Sequence, residues 1–462
     1  MFVLIKICYG KIAFTFYFLF LSISSRAQNA DSIVIKKLAD EILTNGEAYE
    51  NLRFLCKKIG PRLSGSPQAQ KAVEATAKML REAGADTVYL QPCMVPHWVR
   101  GKKEKGFITL ENGKKITLNL CALGNSVGTG AKGVNASVIE VNSIAQLNAL
   151  GKKLKNKIVF FNFPMNPAHI NTFDGYSETA VSRGRGPAMA AKYGAIGVMV
   201  RSLAINPDNF PHTGSTVYND SFPKIPAVAI STNDANFISK SLKNQSVRAS
   251  FFTYCNMLPD VLSYNVIGEL RGNELPQEII TVGGHLDSWD LAEGAQDDGA
   301  GIVQSIEVIR AIKANGIQPK RTIRAVMFMN EENGGRGSKK YLELAKVNKE
   351  QLVFALESDA GGFTPRAFRL DMTEGQMCKV EKWIDLFYNY GVYEMKPGSG
   401  GVDIGPLKEL GTGLAGFSPD SQRYFDVHHA ATDVFENVSR RELHLGAANM
   451  AAFIYLVDKY GL

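Results

Sequence analysis

From residue 258 to 359 the chain repeats one pattern: a continuous apolar run, a short polar loop, then an amphipathic stretch. EIITVGG (278–284) leads to GIVQSIEVIRAIKA (301–314), and TIRAVMFM (322–329) leads to SKKYLELAKV (338–347), with QLVFALES (351–358) following. Strands this uniformly apolar, alternating with helices, predict a mostly parallel sheet covered on both faces. Upstream, 32–59 and 66–84 read as helices. The second starts at Ser66-Pro67, a cap followed by proline at the first helical position, and stops at Gly84. A strand is expected at 87–92. GFITLENGKKITLNL (106–120) alternates on both sides of Asn112-Gly113 and predicts a hairpin. Residues 375–390 and 440–459 read as further helices.

Between 133 and 257 the character changes. Short β-rich runs at 137–141, 157–163, 196–200 and 225–231 alternate with helical stretches near 178–192 and 232–243, separated by loops rich in Pro, Asn and Gly. That is the pattern of a separate β-rich unit with its own core. The fold class expected is therefore α/β, with a mostly parallel or mixed central sheet flanked by helices. Residues 28–132 and 258–462 would form the larger, discontinuous domain and 133–257 an insertion.

The N-terminus adds a destination. Lys6 and Lys11 precede an apolar run, Ile12 to Ser25, followed by the small-x-small site Ser25-Arg26-Ala27. This arrangement predicts a secretory signal peptide (1–27) cut after Ala27 and a secreted or periplasmic mature protein. The run falls short of the ~20 residues needed to span a bilayer. At 462 residues, 45% apolar and 21% charged, the composition is that of a globular protein. The formal charge is +7. Without the leader, 49 basic residues face 45 acidic ones, a net +4. With no basic run or basic helix carrying interleaved aromatics, nucleic acid is excluded as a partner. Five cysteines (56, 93, 121, 255 and 378) lie downstream of the leader, scattered and without a CxxC pair.

In an open α/β sheet, ligands bind beyond the carboxyl ends of the strands. There the chain places His285 and Asp287, then Asp297-Asp298 in the next loop, Glu331-Glu332, and Asp359; His428, His429 and Asp433 come late. Singly, such residues are commonplace. Together, several strands deliver His or carboxylate to one edge, in a chain with seven histidines. Clustered carboxylates raise one another's pKa unless cations intervene. Two zinc ions would balance three carboxylates and a bridging hydroxide. Nitrogen and oxygen donors without thiolate suit catalytic zinc, and metal pairs ~3.5–4 Å apart recur in hydrolases.

HLDSWD, with Asp297 twelve residues after His285, then NEENGG, ESDAGG and HHAATD resemble, in order, the motifs of the di-zinc exopeptidases that include glutamate carboxypeptidase and bacterial leucyl aminopeptidases. IGPRLSGSPQ (59–68), VPHWVRG (95–101) and FPHTGSTVYND (210–220) extend the resemblance over nearly all of the mature chain. It implies two Zn²⁺ held by His285, Asp297 as bridge, Glu332, Asp359 and His429. It implies Glu331 as general base and Asp287 as the carboxylate that orients His285. His429 would share its metal with Glu332, and His285 with Asp359. The 133–257 unit resembles the protease-associated domain inserted in this family. The implied activity is hydrolysis of dipeptides or short peptides, with an aminopeptidase as the alternative and a homodimer as the assembly. Some relatives have lost ligands and serve as binding scaffolds; here every ligand position is filled. His428 stands where some relatives carry a tyrosine that polarises the substrate carbonyl, so it is either an oxyanion donor or a support for its neighbour. Asp403 is a candidate substrate contact. Asp298 is expected to be a helix-start carboxylate, and His97, His169, His212 and His444 to be structural or surface residues.

Overall fold

The computed structural model describes residues 30–462, so the expected leader lies outside the described residues. Two mixed eight-stranded sheets organise the chain. In chain order the strands are β1 (Thr87–Val99), β2 (Lys105–Leu110), β3 (Lys115–Thr117), β4 (Leu120–Ala122), β5 (Val134–Val141), β6 (Ile158–Phe161), β7 (Gly197–Arg201), β8 (Ala227–Ile230), β9 (Val247–Phe252), β10 (Asn256–Leu270), β11 (Leu275–His285), β12 (Arg321–Phe328), β13 (Gln351–Ser358), β14 (Pro365–Asp371), β15 (Glu394–Pro397) and β16 (Gly413–Pro419). The central sheet runs β1-β10-β12-β11-β13-β16-β14-β15, and the second β3-β2-β9-β5-β6-β7-β8-β4.

In the central sheet β12, β11, β13 and β16 are parallel, as the apolar runs predict. Their side chains alternate between two cores. Ile323, Ala325 and Met327 of β12 pack with Leu80 and with Val303, Ile306 and Phe453 of the helices Ala300–Ala314 and Arg440–Tyr460. Val326 and Phe328 face the other way, onto Tyr341 and Ala345 of the helix Arg336–Asn348. Each such fully buried aliphatic or aromatic side chain contributes about 1.5–3 kcal/mol. The parallel strands thus end together at one edge.

The second sheet has its own two cores on the same principle. Val159, Phe161, Val198 and Val200 face one layer; Ile158, Phe160, Met199 and Val228 face the other. The hairpin expected at 106–120 forms about Asn112-Gly113, but its place differs from expectation. β2 pairs along its length with β9, and Ile108 and Leu118 enter the second core. The second sheet therefore begins at Lys105 rather than near residue 133. The composition changes later along the chain than the strand pairing does.

Other departures have local causes. The helix expected over 32–59 is broken into 30–45 and Ala48–Phe54, continued by a wider turn over Leu55–Ile59. The break falls at Gly46, where a Cβ would come 2.2 Å from the Ile42 carbonyl oxygen. The strand at 87–92 runs on to Val99 despite Pro92 and Pro96, which an edge strand tolerates. The helical stretch near 178–192 divides into Thr172–Thr179, Val181–Gly184 and Gly186–Lys192. The helix expected at 375–390 is α-helical over Glu374–Val380 and tightens to 3₁₀ turns beyond.

Arg100 fastens the second sheet over the central one. Its guanidinium donates to both oxygens of Asp290, at 2.8 and 2.6 Å, to Glu104 at 3.0 Å and to the Ala122 carbonyl at 2.7 Å. A bidentate pair with the loop after β11 is the strongest kind of such link. Among the described residues no helix is long and apolar enough to cross a membrane.

Candidate active site

His285 is the last residue of β11; Glu331 and Glu332 follow β12, and Asp359 follows β13. Asp297 lies in the turn Ala295–Gly299, directly before the helix Ala300–Ala314. His428 and His429 follow the short helix Tyr424–Val427, reached from β16. Parallel strands ending in register therefore bring distant carboxylates and imidazoles to one edge.

At the centre is Asp297. Its Oδ1 is 3.1 Å from His285 Nε2, which is also 3.3 Å from Asp359 Oδ1. Its Oδ2 is 3.2 Å from His429 Nε2, which is also 3.1 Å from Glu332 Oε2. One carboxylate thus separates two His–carboxylate pairs. His428 lies flat on His429, ring centroids 3.6 Å apart, with Nε2 3.7 Å from Asp297 Oδ2. Glu331 is half-buried, and among the described residues its carboxylate makes no hydrogen bond.

Several side chains brace this cluster. Asp287 does so differently from expectation. Its backbone carbonyl lies 2.9 Å from His285 Nδ1, while its carboxylate accepts the backbone N–H groups of Asn330 (2.7 Å) and Glu331 (3.0 Å). A carboxylate two residues along turns back over the next strand end instead of over its own histidine. Asp287 therefore fixes the backbone that presents Glu331. Asp298 caps the helix start through Gly301 N–H (2.9 Å) and also holds the His285 N–H (3.0 Å). Asp433 accepts the N–H groups of Gln296 (2.7 Å) and Asp297 (3.2 Å). The IGPRLSG segment braces the loops from below. Arg62, fully buried, donates to the carbonyls of Leu286, Glu293 and Gly294 at 2.7–2.9 Å. Ser64 accepts from Asn330 at 2.8 Å.

Loops of the second sheet, together with the loop after β11, cover the site. Tyr176 packs edge-on to His428 at 5.2 Å, and its hydroxyl accepts from Arg183. Arg183 Nη1 lies 3.3 Å from His429 Nδ1. Thr213 holds the His429 carbonyl through its N–H (2.9 Å). His212, buried, contacts the His428 carbonyl at 2.7 Å through Nδ1. Trp289 supplies its backbone N–H to Glu332 at 3.1 Å. The FPHTGSTVYND motif was the one available signal for His212 and Thr213; Tyr176 and Arg183 carried none. His97 sits in β1, His169 pairs on the surface with Glu178 (2.9 Å), and His444 is buried in the helix Arg440–Tyr460. Asp403 is buried with both oxygens unpartnered, beside Glu357.

The electrostatics are those of a site made for cations. Burial, reinforced by neighbouring carboxylates, pushes Glu331, Glu332 and Asp359 up. Burial opposes charge on His285, but Asp359 and Asp297 outweigh it and raise its pKa well above 6.5. Burial also opposes charge on Asp297, yet the hydrogen bond from His285 and the nearby imidazole of His429 hold it well below the usual carboxylate range. His428 is driven the other way, by burial and by His429, and is neutral. The donor set fits divalent metal. It contains imidazole nitrogen and carboxylate oxygen without thiolate or lysine, and the buried Asp297 Oδ2 has no hydrogen-bond partner. His285, Asp297 and Asp359 could hold one ion; Asp297, His429 and Glu332, with His428 adjacent, could hold another.

Residues 265–454 match the profile of peptidase family M28. Human carboxypeptidase Q is 34% identical over 415 residues, covering 89% of this chain and 85% of that one. Aminopeptidase YwaD of Bacillus subtilis is 24% identical, covering 88% and 84%. A peptidase M28 precursor from Shewanella amazonensis superposes with a TM-score of 0.89 at 32% identity, covering 93% of this chain and 97% of that one. A zinc aminopeptidase from Bacillus subtilis shares the fold, with a TM-score of 0.63 at 20% identity, covering 89% and 94%.

Proposed function

The chain belongs to peptidase family M28 and is a metallopeptidase, and on that footing we propose that it is an exported di-zinc exopeptidase cleaving dipeptides or short peptides, of the carboxypeptidase Q kind. The observation that carries this reading is Asp297, whose two oxygens face separate His–carboxylate pairs.

In this reading His285 and Asp359 would hold one ion and His429 and Glu332 the other, with Asp297 a ligand within reach of both. Bound zinc supplies a Lewis acid for the scissile carbonyl and an acidified water. Glu331 takes the proton from the attacking water and returns it to the leaving amine, a role suited to a carboxylate with a raised pKa and no fixed partner. Asp287 fixes the backbone beneath that base. His428, neutral and stacked on His429, supports its neighbour or donates to the developing oxyanion. The second-sheet unit is the family's protease-associated insertion. Export follows from the leader read at 1–27, and a homodimer rests on resemblance alone.

The test is hydrolysis of a dipeptide panel with and without chelator, alongside metal analysis. Chelator-sensitive cleavage and two zinc ions per chain are expected. Dipeptidase activity requires a receptor for a free carboxylate, so C-terminally amidated dipeptides should be poorer substrates. An aminopeptidase is the second reading, favoured by the unpartnered Asp403 and by the bacterial relative; it would cleave both forms alike.

A further inference from the structure

Arg100 lies where the two sheets join, between β1 and β2, and its side chain is 10% exposed. Two paths lead from it to the ligand cluster. On the first, both oxygens of Asp290 accept from its guanidinium, at 2.8 and 2.6 Å. The neighbouring Trp289 donates its backbone N–H to Glu332 Oε1 at 3.1 Å and sets its ring edge-on to His429, centroids 5.8 Å apart. On the second, Arg100 Nη2 is 3.5 Å from Thr213 Oγ1. Arg100 Nη1 and the Thr213 hydroxyl also donate to one carbonyl, that of Ala122, at 2.7 and 3.0 Å. Thr213 in turn donates its N–H to the His429 carbonyl at 2.9 Å. Both paths end on the same ligand pair, Glu332 and His429.

That pair needs holding. His429 has a φ of 61°, a left-handed backbone that a non-glycine residue keeps only where its surroundings enforce it. Arg62 grips the loop after β11 at its ends, through the carbonyls of Leu286, Glu293 and Gly294. Trp289 and Asp290, in the middle of that loop, are left to the joint. The joint is shaped for them. A Cβ at Gly124 would fall 1.8 Å from Trp289 Cη2, and Trp98 meets the Trp289 ring at 6.2 Å while Arg100 lies over Trp98 at 5.0 Å. The other ligand pair is held elsewhere. His285 donates its N–H to Asp298 at 3.0 Å, its Nδ1 faces the Asp287 carbonyl at 2.9 Å, and Asp359 directly follows β13. Groups standing behind metal ligands fix their orientation and so tune metal affinity. We propose that Arg100 is a positioning residue for the Glu332–His429 metal position alone, so that the two ions of this enzyme are held with separately adjustable affinities. The inference rests on the di-zinc reading above.

The experiment reads zinc affinity of the metal-free protein by competition with a chelating dye, in the wild type, Arg100→Met, Arg100→Lys and Asp290→Asn. In Arg100→Met one ion should bind ~10- to 100-fold more weakly, as loss of an outer support implies, while the other is unchanged. Arg100→Lys keeps the charge but not the planar fork and should recover part of the loss. Asp290→Asn cuts the Trp289 path alone and should weaken the same ion less; it decides the matter if Arg100→Met does not fold. Ligand variants identify the ion. In Glu332→Ala, where the His285–Asp359 position remains, adding Arg100→Met should change nothing; in His285→Ala the full loss should appear. Equal weakening of both ions, or weakening in the Glu332→Ala background, would mean that Arg100 only steadies the fold and would overturn the proposal, as would unchanged affinities. A wild type that binds one ion fails the di-zinc reading. The inference then stands if that ion is lost in Glu332→Ala and weakened in Arg100→Met, and falls if the ion survives Glu332→Ala.

Discussion

The two sheets share a construction and differ at their ends. Both have a parallel core, β12-β11-β13 in one and β6-β7-β8 in the other, with side chains alternating between two buried layers. At the carboxyl ends of the central strands stand His285, Glu331, Glu332 and Asp359. At the corresponding ends of the second sheet stand Asn162 and Arg201, and Arg201 donates to the amide oxygens of Asn162 (3.4 Å) and Asn236 (2.7 Å). The same topology thus gives a cluster of carboxylates and imidazoles in one case and an arginine held by amide oxygens in the other. Architecture supplies the edge; the residues on it decide whether there is chemistry.

That contrast can be broken in four ways, in descending order of effect. Glu331→Gln should lower kcat ~10²- to 10⁴-fold, the share of a general base, while both zinc ions remain; activity near the wild type would remove Glu331 from its role. Phe251→Ala, in the second core where the side chain is fully buried, should lower stability by about 3–5 kcal/mol and leave zinc per folded chain unchanged. Calorimetric melting with metal analysis checks both halves, and zinc loss would mean that the two sheets are not separate in function. Asp433→Ala removes the acceptor that fixes the Asp297 backbone and should weaken zinc binding by ~10- to 100-fold, read by competition with a chelating dye. The smallest effect concerns pH. His444, deep in the helix Arg440–Tyr460, is lowered to about 4 from 6.5 by burial and by the nearby Arg440, Arg310 and Arg441. Its neutral form is favoured in the fold, so its contribution is complete above pH 6.5 and is lost as pH falls toward 4. Between pH 7 and 5 that amounts to on the order of 1–2 kcal/mol. In denaturant titrations at those two pH values, His444→Phe should lose that much less stability than the wild type.

Much of the site was legible because strand ends are legible. Apolar runs mark where β11, β12 and β13 stop, and a parallel sheet brings those stops together, so His285, Glu332 and Asp359 could be grouped without coordinates. Asp297 and His429 needed the resemblance, since a loop and a distant helix end carry no register of their own. What stayed hidden has two causes. The Asp287 carboxylate could reach either its own strand or the next; backbone hydrogen bonds of Asn330 and Glu331 decided it. Tyr176 and Arg183 lie in short helices more than a hundred residues before His285, and nothing in their periodicity says which way the second sheet leans. The hairpin at 106–120 was visible, but its partner β9 was not, because pairing across so long an interval leaves no local mark.

The account turns on one carboxylate serving two ions. Zinc should therefore be counted by mass spectrometry under native conditions in the wild type and in Asp297→Ala, each repurified after metal loading. Two ions per wild-type chain and fewer than one in the variant are expected, since both sites lose a ligand at once. A single ion in the wild type, or an unchanged count after the substitution, would contradict the bridged pair.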